Sequence, residues 1–205
     1  MRNIVDIKYE ELFNRIIKLD FYSKRNLALL GMARCCKVME TFRKTDDLRE
    51  IENFKDIIYV ALQSIKDNRI IDMSNAIQVC ERLSESAEMK KTYENLLMEE
   101  QLVCDCSYMI LEFWFYFLQM DLLMDDGTDY ERFILFPAEI LKELVFAINK
   151  ECDFEEIQEM INSNKAIIRE ITVIDEEMQN IVKINNDLEK FVLDAMKVDI
   201  LEDLI

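Results

Sequence analysis

The sequence contains no histidine, and this absence is its most discriminating feature. Histidine is the commonest general base, the commonest ligand of transition metals and the usual activator of serine and cysteine nucleophiles. Without it, Ser–His and Cys–His nucleophiles cannot form, and neither can the Glu-x-x-His pairs of di-iron helical bundles. The composition therefore predicts a protein that is not an enzyme and needs no cofactor.

Glycine and proline are also scarce, with two glycines and one proline in 205 residues. Sheets and long loops need both residue types for their turns, so their scarcity favours helices joined by short connections. Hydrophobic residues make up 51% of the chain, which is enough for a sizeable core. We predict an all-α fold: one domain over residues 1–205, a multi-helix bundle of about seven to nine helices.

We also expect no export signal. The opening stretch MRNIVDIKYEELF carries Asp6, Glu10 and Glu11 where a signal peptide needs an uninterrupted apolar segment. We therefore expect a cytoplasmic protein, in which cysteines stay reduced and serve mainly as small buried side chains. The six cysteines to which this applies are Cys35, Cys36, Cys80, Cys104, Cys106 and Cys152.

Apolar residues recur at helical spacing along most of the chain and place the helices. The predicted helices cover 6–19, 24–44 with Ser23 as N-cap, Asp46 or Asp47 to 66, 74–84, 88–124 with a break near Glu99 as the alternative, a segment with Pro137 in its first turn ending near 149, 153–164, and 165–198. Gly31 lies inside the second helix, where it lowers helix propensity and indicates a close helix crossing.

Five consecutive aromatic residues, Phe113 to Phe117, distinguish the fifth predicted segment. Successive helical residues advance by about 100°, so these side chains point in every direction and their helix must be enclosed on most sides. We predict a central, aromatic-rich helix; an interface with another chain is the alternative. A membrane span is disfavoured because Glu112 and Asp121 lie only nine positions apart.

The last predicted helix is long and carries a heptad-like apolar seam with one polar position at Asn185. An amphipathic helix that closes the bundle explains this pattern, and pairing with a second chain in a homodimer is the alternative. The apolar seam residues are Ile167, Ile171, Ile174, Met178, Ile181, Leu188, Val192 and Ala195.

The formal net charge of −17 is unevenly distributed. Residues 1–91 carry +2 and residues 132–150 carry +1, whereas residues 92–131 hold ten acids without a base and residues 151–205 hold fifteen acids against five bases. Such a field repels nucleic acid and anionic membranes and attracts basic proteins. We therefore expect a basic protein partner, with no nucleic acid and no membrane.

Exposed acids in these two segments are the candidate partner-binding residues. The first group follows the aromatic helix, and the second group lies on the next acidic helix. The candidates are Asp121, Asp125, Asp126, Asp129 and Glu131 in the first group, and Glu155, Glu156 and Glu159 in the second.

Metal sites are the competing interpretation of the same acids. Asp125-Asp126-Gly127-Thr128-Asp129 spells DDxxD, a pattern that holds Mg²⁺ on diphosphates in all-helical isoprenoid synthases. Gly127 breaks the helix that would align these acids, and no second motif follows. Glu155-Glu156-x-x-Glu159 is likewise an unpaired half-site, and the cysteine spacings do not fit zinc. We expect no metal; an Mg²⁺-dependent enzyme acting on diphosphates or nucleotides, or a dimeric helical adaptor, remains the alternative.

Two resemblances complete the sequence evidence. The stretches LALLGMARCCKVMETF (27–42) and IIYVAL (57–62) resemble the first helices of the YjaG-like family, whose members are small, acidic, helical bacterial proteins of unassigned function. By overall type the chain also resembles the immunity proteins of bacterial toxin–immunity pairs. That resemblance implies a cytoplasmic protein that neutralises a cognate toxin, often a basic nuclease, by binding it tightly.

Overall fold

A computed structural model describes residues 4–45, 54–67, 72–93, 98–123 and 130–204, and their regular secondary structure is entirely helical. The prediction of an all-α bundle is confirmed. The helices of these residues are α1 (Ile4–Ile16), α2 (Phe21–Arg34), α3 (Cys36–Thr45), α4 (Phe54–Asp67), α5 (Ser74–Tyr93), α6 (Met98–Leu123), α7 (Tyr130–Ile148), α8 (Phe154–Ser163), α9 (Lys165–Gln179), α10 (Ile181–Asn186) and α11 (Leu188–Ala195).

Helix α2 lies in the middle of the bundle. It packs along α7 and also contacts α3, α4, α10 and α11. Every residue from Arg25 to Arg34 is buried, because neighbours on several sides leave this helix no solvent-facing stripe. The buried apolar side chains of the described helices form one continuous core cluster.

The α2–α7 contact depends on Gly31 and Pro137. Pro137 lies inside α7 rather than in a first turn, so that prediction is wrong. A proline has no amide N–H, so the carbonyl of Phe133, four residues earlier, receives no helical hydrogen bond from it. A Cβ atom at Gly31 would lie 2.5 Å from that carbonyl oxygen. The glycine therefore allows α2 to approach the carbonyl that the proline leaves open, and the predicted close crossing is confirmed.

The aromatic block lies on α6, which packs against α3, α5 and α7. Trp114 and Phe117 are fully buried, and Phe113 stacks on Phe136 of α7 with ring centroids 3.5 Å apart. Tyr116 is 52% exposed, so the helix is enclosed on most of its sides, as predicted, but not on all. Within the described residues, no helix combines the length and apolar character needed to cross a bilayer.

Helix ends in the first half differ from the sequence prediction. The N-cap of α2 is Asp20, whose carboxylate accepts a hydrogen bond from the Ser23 amide at 3.0 Å, and Ser23 lies inside the helix. The segment 24–44 is divided at Cys35 into α2 and α3. Helix α5 starts at Ser74 as predicted but continues to Tyr93. The predicted helix start at Asp46 or Asp47 lies outside the described residues.

The predicted continuous helix over 165–198 is wrong. It is interrupted at Asn180 and Asp187, where the backbone leaves helical geometry, and becomes α9, α10 and α11. Short polar side chains compete for backbone hydrogen bonds. The side-chain nitrogen Nδ2 of Asn180 donates to the Glu176 carbonyl at 2.8 Å. Most seam residues are nevertheless buried inside this chain, as expected for helices that close a bundle. The interruptions also explain why the described helices outnumber the predicted ones.

Candidate functional site

Helix α8 presents the second group of predicted acids, and its sequence explains how. The Asp153 carboxylate accepts a hydrogen bond from the Glu156 amide at 2.9 Å, which caps the helix where the sequence predicts its start. Glu155 and Glu156 occupy the first turn, where negative charge is favourable. Only Ile157 and Ile161 are buried, so most of the helix faces solvent.

Helix α8 carries three exposed carboxylates and begins with an exposed aromatic residue. Glu155, Glu156 and Glu159 are exposed, and none of them forms an ion pair with a described lysine or arginine. Phe154, immediately before them, is 67% exposed. We call these four residues the α8 face. It combines an apolar anchor with three carboxylates that are free to meet an external cation.

Several other acids of the C-terminal segment are paired within the chain. Asp175 pairs with Arg15, and Glu189 accepts a hydrogen bond from Lys66 Nζ at 2.5 Å. Arg169 lies 3.4 Å from Glu202 and also donates to the backbone carbonyls of residues 199, 200 and 202. These contacts use part of the negative charge to hold the fold together, whereas the charge of the α8 face remains available.

The first group of predicted acids falls mostly outside the described part of the chain. Asp121 lies in the last turn of α6, but its side chain belongs to the part that is not described. Asp125, Asp126 and Asp129 lie outside the described residues, and with them the whole DDxxD motif.

Glu131 was predicted to be exposed, and this prediction is wrong. It lies in the first turn of α7, is 9% exposed, and pairs with Lys24 of α2 at 2.6 Å between Nζ and Oε1. This pairing joins residues that are 107 positions apart in the sequence, so no local pattern predicts it. Glu131 therefore belongs to the α2–α7 contact rather than to an exposed acidic surface.

A second acidic surface, which the sequence prediction missed, lies between α5 and α6. Glu81 and Glu85 of α5 face Glu112 of α6 across a cleft of about 200 Å³ that also contains Phe115 and Tyr116. The helical spacing of these residues is visible in the sequence, but the pairing of the two helices is not. We call this surface the α5–α6 cleft, and the Tyr108 hydroxyl donates to Glu112 there at 2.8 Å.

Part of the acidity is buried in a cluster formed by Arg34, Glu170 and Glu177. Arg34 and Glu170 are both fully buried, and Arg34 Nε lies 3.0 Å from Glu170 Oε2. Arg34 Nη1 lies 2.5 Å from Glu177 Oε1. Burial raises the pKa of Glu177, the Arg34 charge opposes this, and the neighbouring Glu170 adds to it. The cluster ties α2 to α9 and presents no charge to a partner.

The described cysteines are free thiols, and four of them are buried. Burial raises the pKa of Cys36, Cys80 and Cys106 to about 12, and the pKa of Cys35 is also well above its usual value because of burial. A nucleophilic cysteine needs the opposite shift, since the thiolate is the reactive form. These four thiols therefore act as packing residues.

Over the ranges that the structure describes, no group of three or more cysteine, aspartate or glutamate side chains is arranged to hold a metal ion. This includes Glu155, Glu156 and Glu159, which the sequence presents as a half-site.

Comparison of the chain with protein-family models, with curated proteins and with solved structures gives no match. The resemblances to the YjaG-like family and to immunity proteins therefore stay predictions from the sequence. Function has to be inferred from the surfaces described above.

Proposed function

We propose that this protein is a non-catalytic binding protein that uses its acidic surfaces to mask a basic protein partner. The observation that carries the proposal is the α8 face, where one short helix presents three exposed carboxylates, without an ion pair to a described base, together with the exposed Phe154. Side chains that serve only solubility have no need of an apolar anchor beside them.

The chemistry of protein interfaces supports this proposal. Interfaces are enriched in aromatic side chains, and a few such anchors provide most of the binding energy while charges at the rim steer the encounter. The α8 face combines both elements, and the α5–α6 cleft repeats the combination with Tyr116 and three carboxylates. A partner rich in lysine and arginine complements both surfaces.

We further propose that the masked partner is a toxin domain of the nuclease type and that the protein is its immunity protein. Nucleases bind an anionic substrate and therefore expose basic surfaces. An acidic protein with net charge −17 competes for such a surface by charge and shape, without any catalytic residue of its own. The resemblance in type to immunity proteins agrees with this form of action.

A capture experiment with two matched triple variants tests the proposal. The first replaces Glu155, Glu156 and Glu159 of the α8 face by glutamine. The second replaces Glu11, Glu143 and Glu176, which are also exposed and without an ion pair to a described base. Both remove three negative charges, so they differ only in where the charge is lost.

We expect the wild-type protein and the second variant to retain the same basic protein from a lysate of the native host, and the α8 variant to lose it. The purified partner should then cleave nucleic acid, and a stoichiometric amount of the wild-type protein should stop the cleavage. Equal capture by the two variants, or a captured partner that is acidic, would contradict the proposed masking function. A basic partner without nuclease activity would contradict only the immunity role.

A further inference from the structure

A third surface lies away from the α8 face and the α5–α6 cleft. It is an open cleft of about 530 Å³ between α2, α4 and the junction of α10 with α11. Tyr22 and Asn26 line it from α2, Lys66 from α4, and Asn185 and Asp187 from the junction. We call it the Asn26 cleft.

A directional chain of side-chain hydrogen bonds runs along the wall of this cleft. Asn26 Nδ2 donates to Asn185 Oδ1 at 2.8 Å, and Asn185 Nδ2 donates to Ser23 Oγ at 3.1 Å. Ser23 Oγ then donates to the Asp20 carboxylate at 2.6 Å. Every donor points towards Asp20, and hydrogen bonds to Ser23 lower the pKa of that carboxyl, so the chain ends on an ionised acceptor.

The opposite end of the chain is incomplete. Asn26 is 7% exposed, and its Oδ1 atom is buried without a hydrogen-bond partner among the described residues. An unsatisfied buried acceptor is unfavourable. The bond from Asn26 Nδ2 to Asn185 fixes the orientation of the amide, so Oδ1 is held as an acceptor. A donor bound at Oδ1 would complete the chain, and a cationic donor would polarise every bond in it towards Asp20.

The other groups of the cleft also favour a cation. Asp187, at the N-cap position of α11, is exposed, makes no side-chain capping bond and pairs with no described base. Lys66 is the one base among the described residues that line the cleft, and Glu189 neutralises it. Tyr22 is 57% exposed at the rim and presents an aromatic ring, over which a planar cation can stack.

We propose that the Asn26 cleft binds a guanidinium group, supplied by an arginine side chain of the basic partner. A guanidinium carries five donors in one plane, so it can donate to an amide oxygen and a carboxylate while its face meets an aromatic ring. Because Oδ1 is closed off from solvent, binding requires the side chains that cover this atom to move. The identity of the partner rests on the proposed function, whereas the chemistry of the cleft does not.

Nuclear magnetic resonance titration of the full chain with N-acetyl-arginine amide tests the proposal, with the uncharged N-acetyl-citrulline amide as the matched probe. We expect the arginine probe to shift the side-chain amide signals of Asn26 and Asn185 saturably, and the citrulline probe to leave them unchanged. Asp187→Asn should weaken binding of the arginine probe about tenfold, because it removes a charge-assisted hydrogen bond. Glu156→Gln, which removes one charge from the α8 face, should leave it unchanged.

Equal shifts with both probes, or equal weakening by Asp187→Asn and Glu156→Gln, would overturn the proposal. Stronger binding of N-acetyl-lysine amide would also overturn it, since an ammonium group would then be the preferred ligand. Asn26→Leu should abolish the response, but it also breaks the hydrogen bond to Asn185. The variant of the exposed Asp187 is therefore the decisive one. If this titration fails, the proposed capture by the α8 face still stands. If that capture fails, the titration still tests the guanidinium site.

Discussion

At the scale of single residues, the buried cluster of Arg34, Glu170 and Glu177 places one guanidinium against two carboxylates. Arg34 and Glu170 are fully buried, and one oxygen of each carboxylate has no hydrogen-bond partner. A buried charge without full compensation is unfavourable, which agrees with the raised pKa of Glu177. The folded protein therefore holds the Glu177 proton more tightly than the unfolded chain does.

This difference has a definite sign. Because the folded pKa of Glu177 is raised, its contribution to stability is fully present below the unfolded pKa of about 4.3 and is lost as pH rises through the folded pKa. Glu177→Gln imitates the protonated side chain and keeps an oxygen for Arg34. We expect its free energy of unfolding, relative to the wild type, to increase as the pH is raised from 4 to 8 in urea denaturation.

The neighbouring Glu176 is the matched control for this prediction, because it is exposed and forms no ion pair with a described base. Glu176→Gln should shift stability by a similar small amount at every pH. If the two variants show the same pH dependence, burial of Glu177 does not control its ionisation.

At the scale of helices, the crossing of α2 and α7 combines a glycine with a proline. Helix propensity alone predicts that Gly31→Ala stabilises the protein by about 1 kcal/mol. The new Cβ would instead lie 2.5 Å from the Phe133 carbonyl oxygen, which is backbone and cannot rotate away. We expect a loss of about 1–3 kcal/mol in the free energy of unfolding, measured by chemical denaturation.

Ala147 is exposed on α7, the other helix of this crossing, and serves as the control for helix propensity. Ala147→Gly should lower the free energy of unfolding by about 1 kcal/mol. Stabilisation by Gly31→Ala of the same size would mean that the two helices do not meet at this carbonyl.

Helix α8 depends on its cap in a similar way. Asp153→Ala removes the carboxylate that accepts from the Glu156 amide, and we expect it to lower the free energy of unfolding by about 1 kcal/mol. Asp153→Ser keeps a capping oxygen and should stay close to the wild type. Equal losses for both variants would show that the cap is not the cause.

The sequence predicts the helical fold and the buried faces well, because apolar spacing reports directly on which side of a helix is covered. Ile167 and Ile174 of the predicted seam are buried, and α8 begins after Asp153 as predicted. Breaks were harder to predict, since Asn180 competes with helical hydrogen bonding only through its own side chain.

The sequence prediction placed Pro137 in a first turn, whereas it lies inside α7. Its position inside the helix goes with the packing of α2, which lies more than 100 residues earlier in the chain. The same reason limits prediction of the site. Glu155, Glu156 and Glu159 are exposed as predicted, since α8 buries only two isoleucines. Glu131 pairs with Lys24, 107 positions earlier, and the α5–α6 cleft depends on how two consecutive helices pack side by side; periodicity reports neither contact.

At the scale of the whole molecule, a net charge of −17 is far larger than solubility requires in a small domain, for which about 2 to 8 is typical. The surplus makes the free protein repel other copies of itself and favours association with a basic protein. Part of it is used in internal pairs such as Asp175 with Arg15. The α8 face retains its charge at the surface, so it is the main candidate for partner binding.

The most direct test of a binding role for the α8 face is the association rate constant with the captured basic partner, measured as a function of salt concentration. The wild type should associate fast at low salt and slow steeply as salt is added, because electrostatic steering is screened. The glutamine variant of Glu155, Glu156 and Glu159 should associate more slowly at low salt, with a flatter dependence. The variant of Glu11, Glu143 and Glu176 should stay close to the wild type. Identical rates and slopes for the two variants would contradict a binding role for the α8 face.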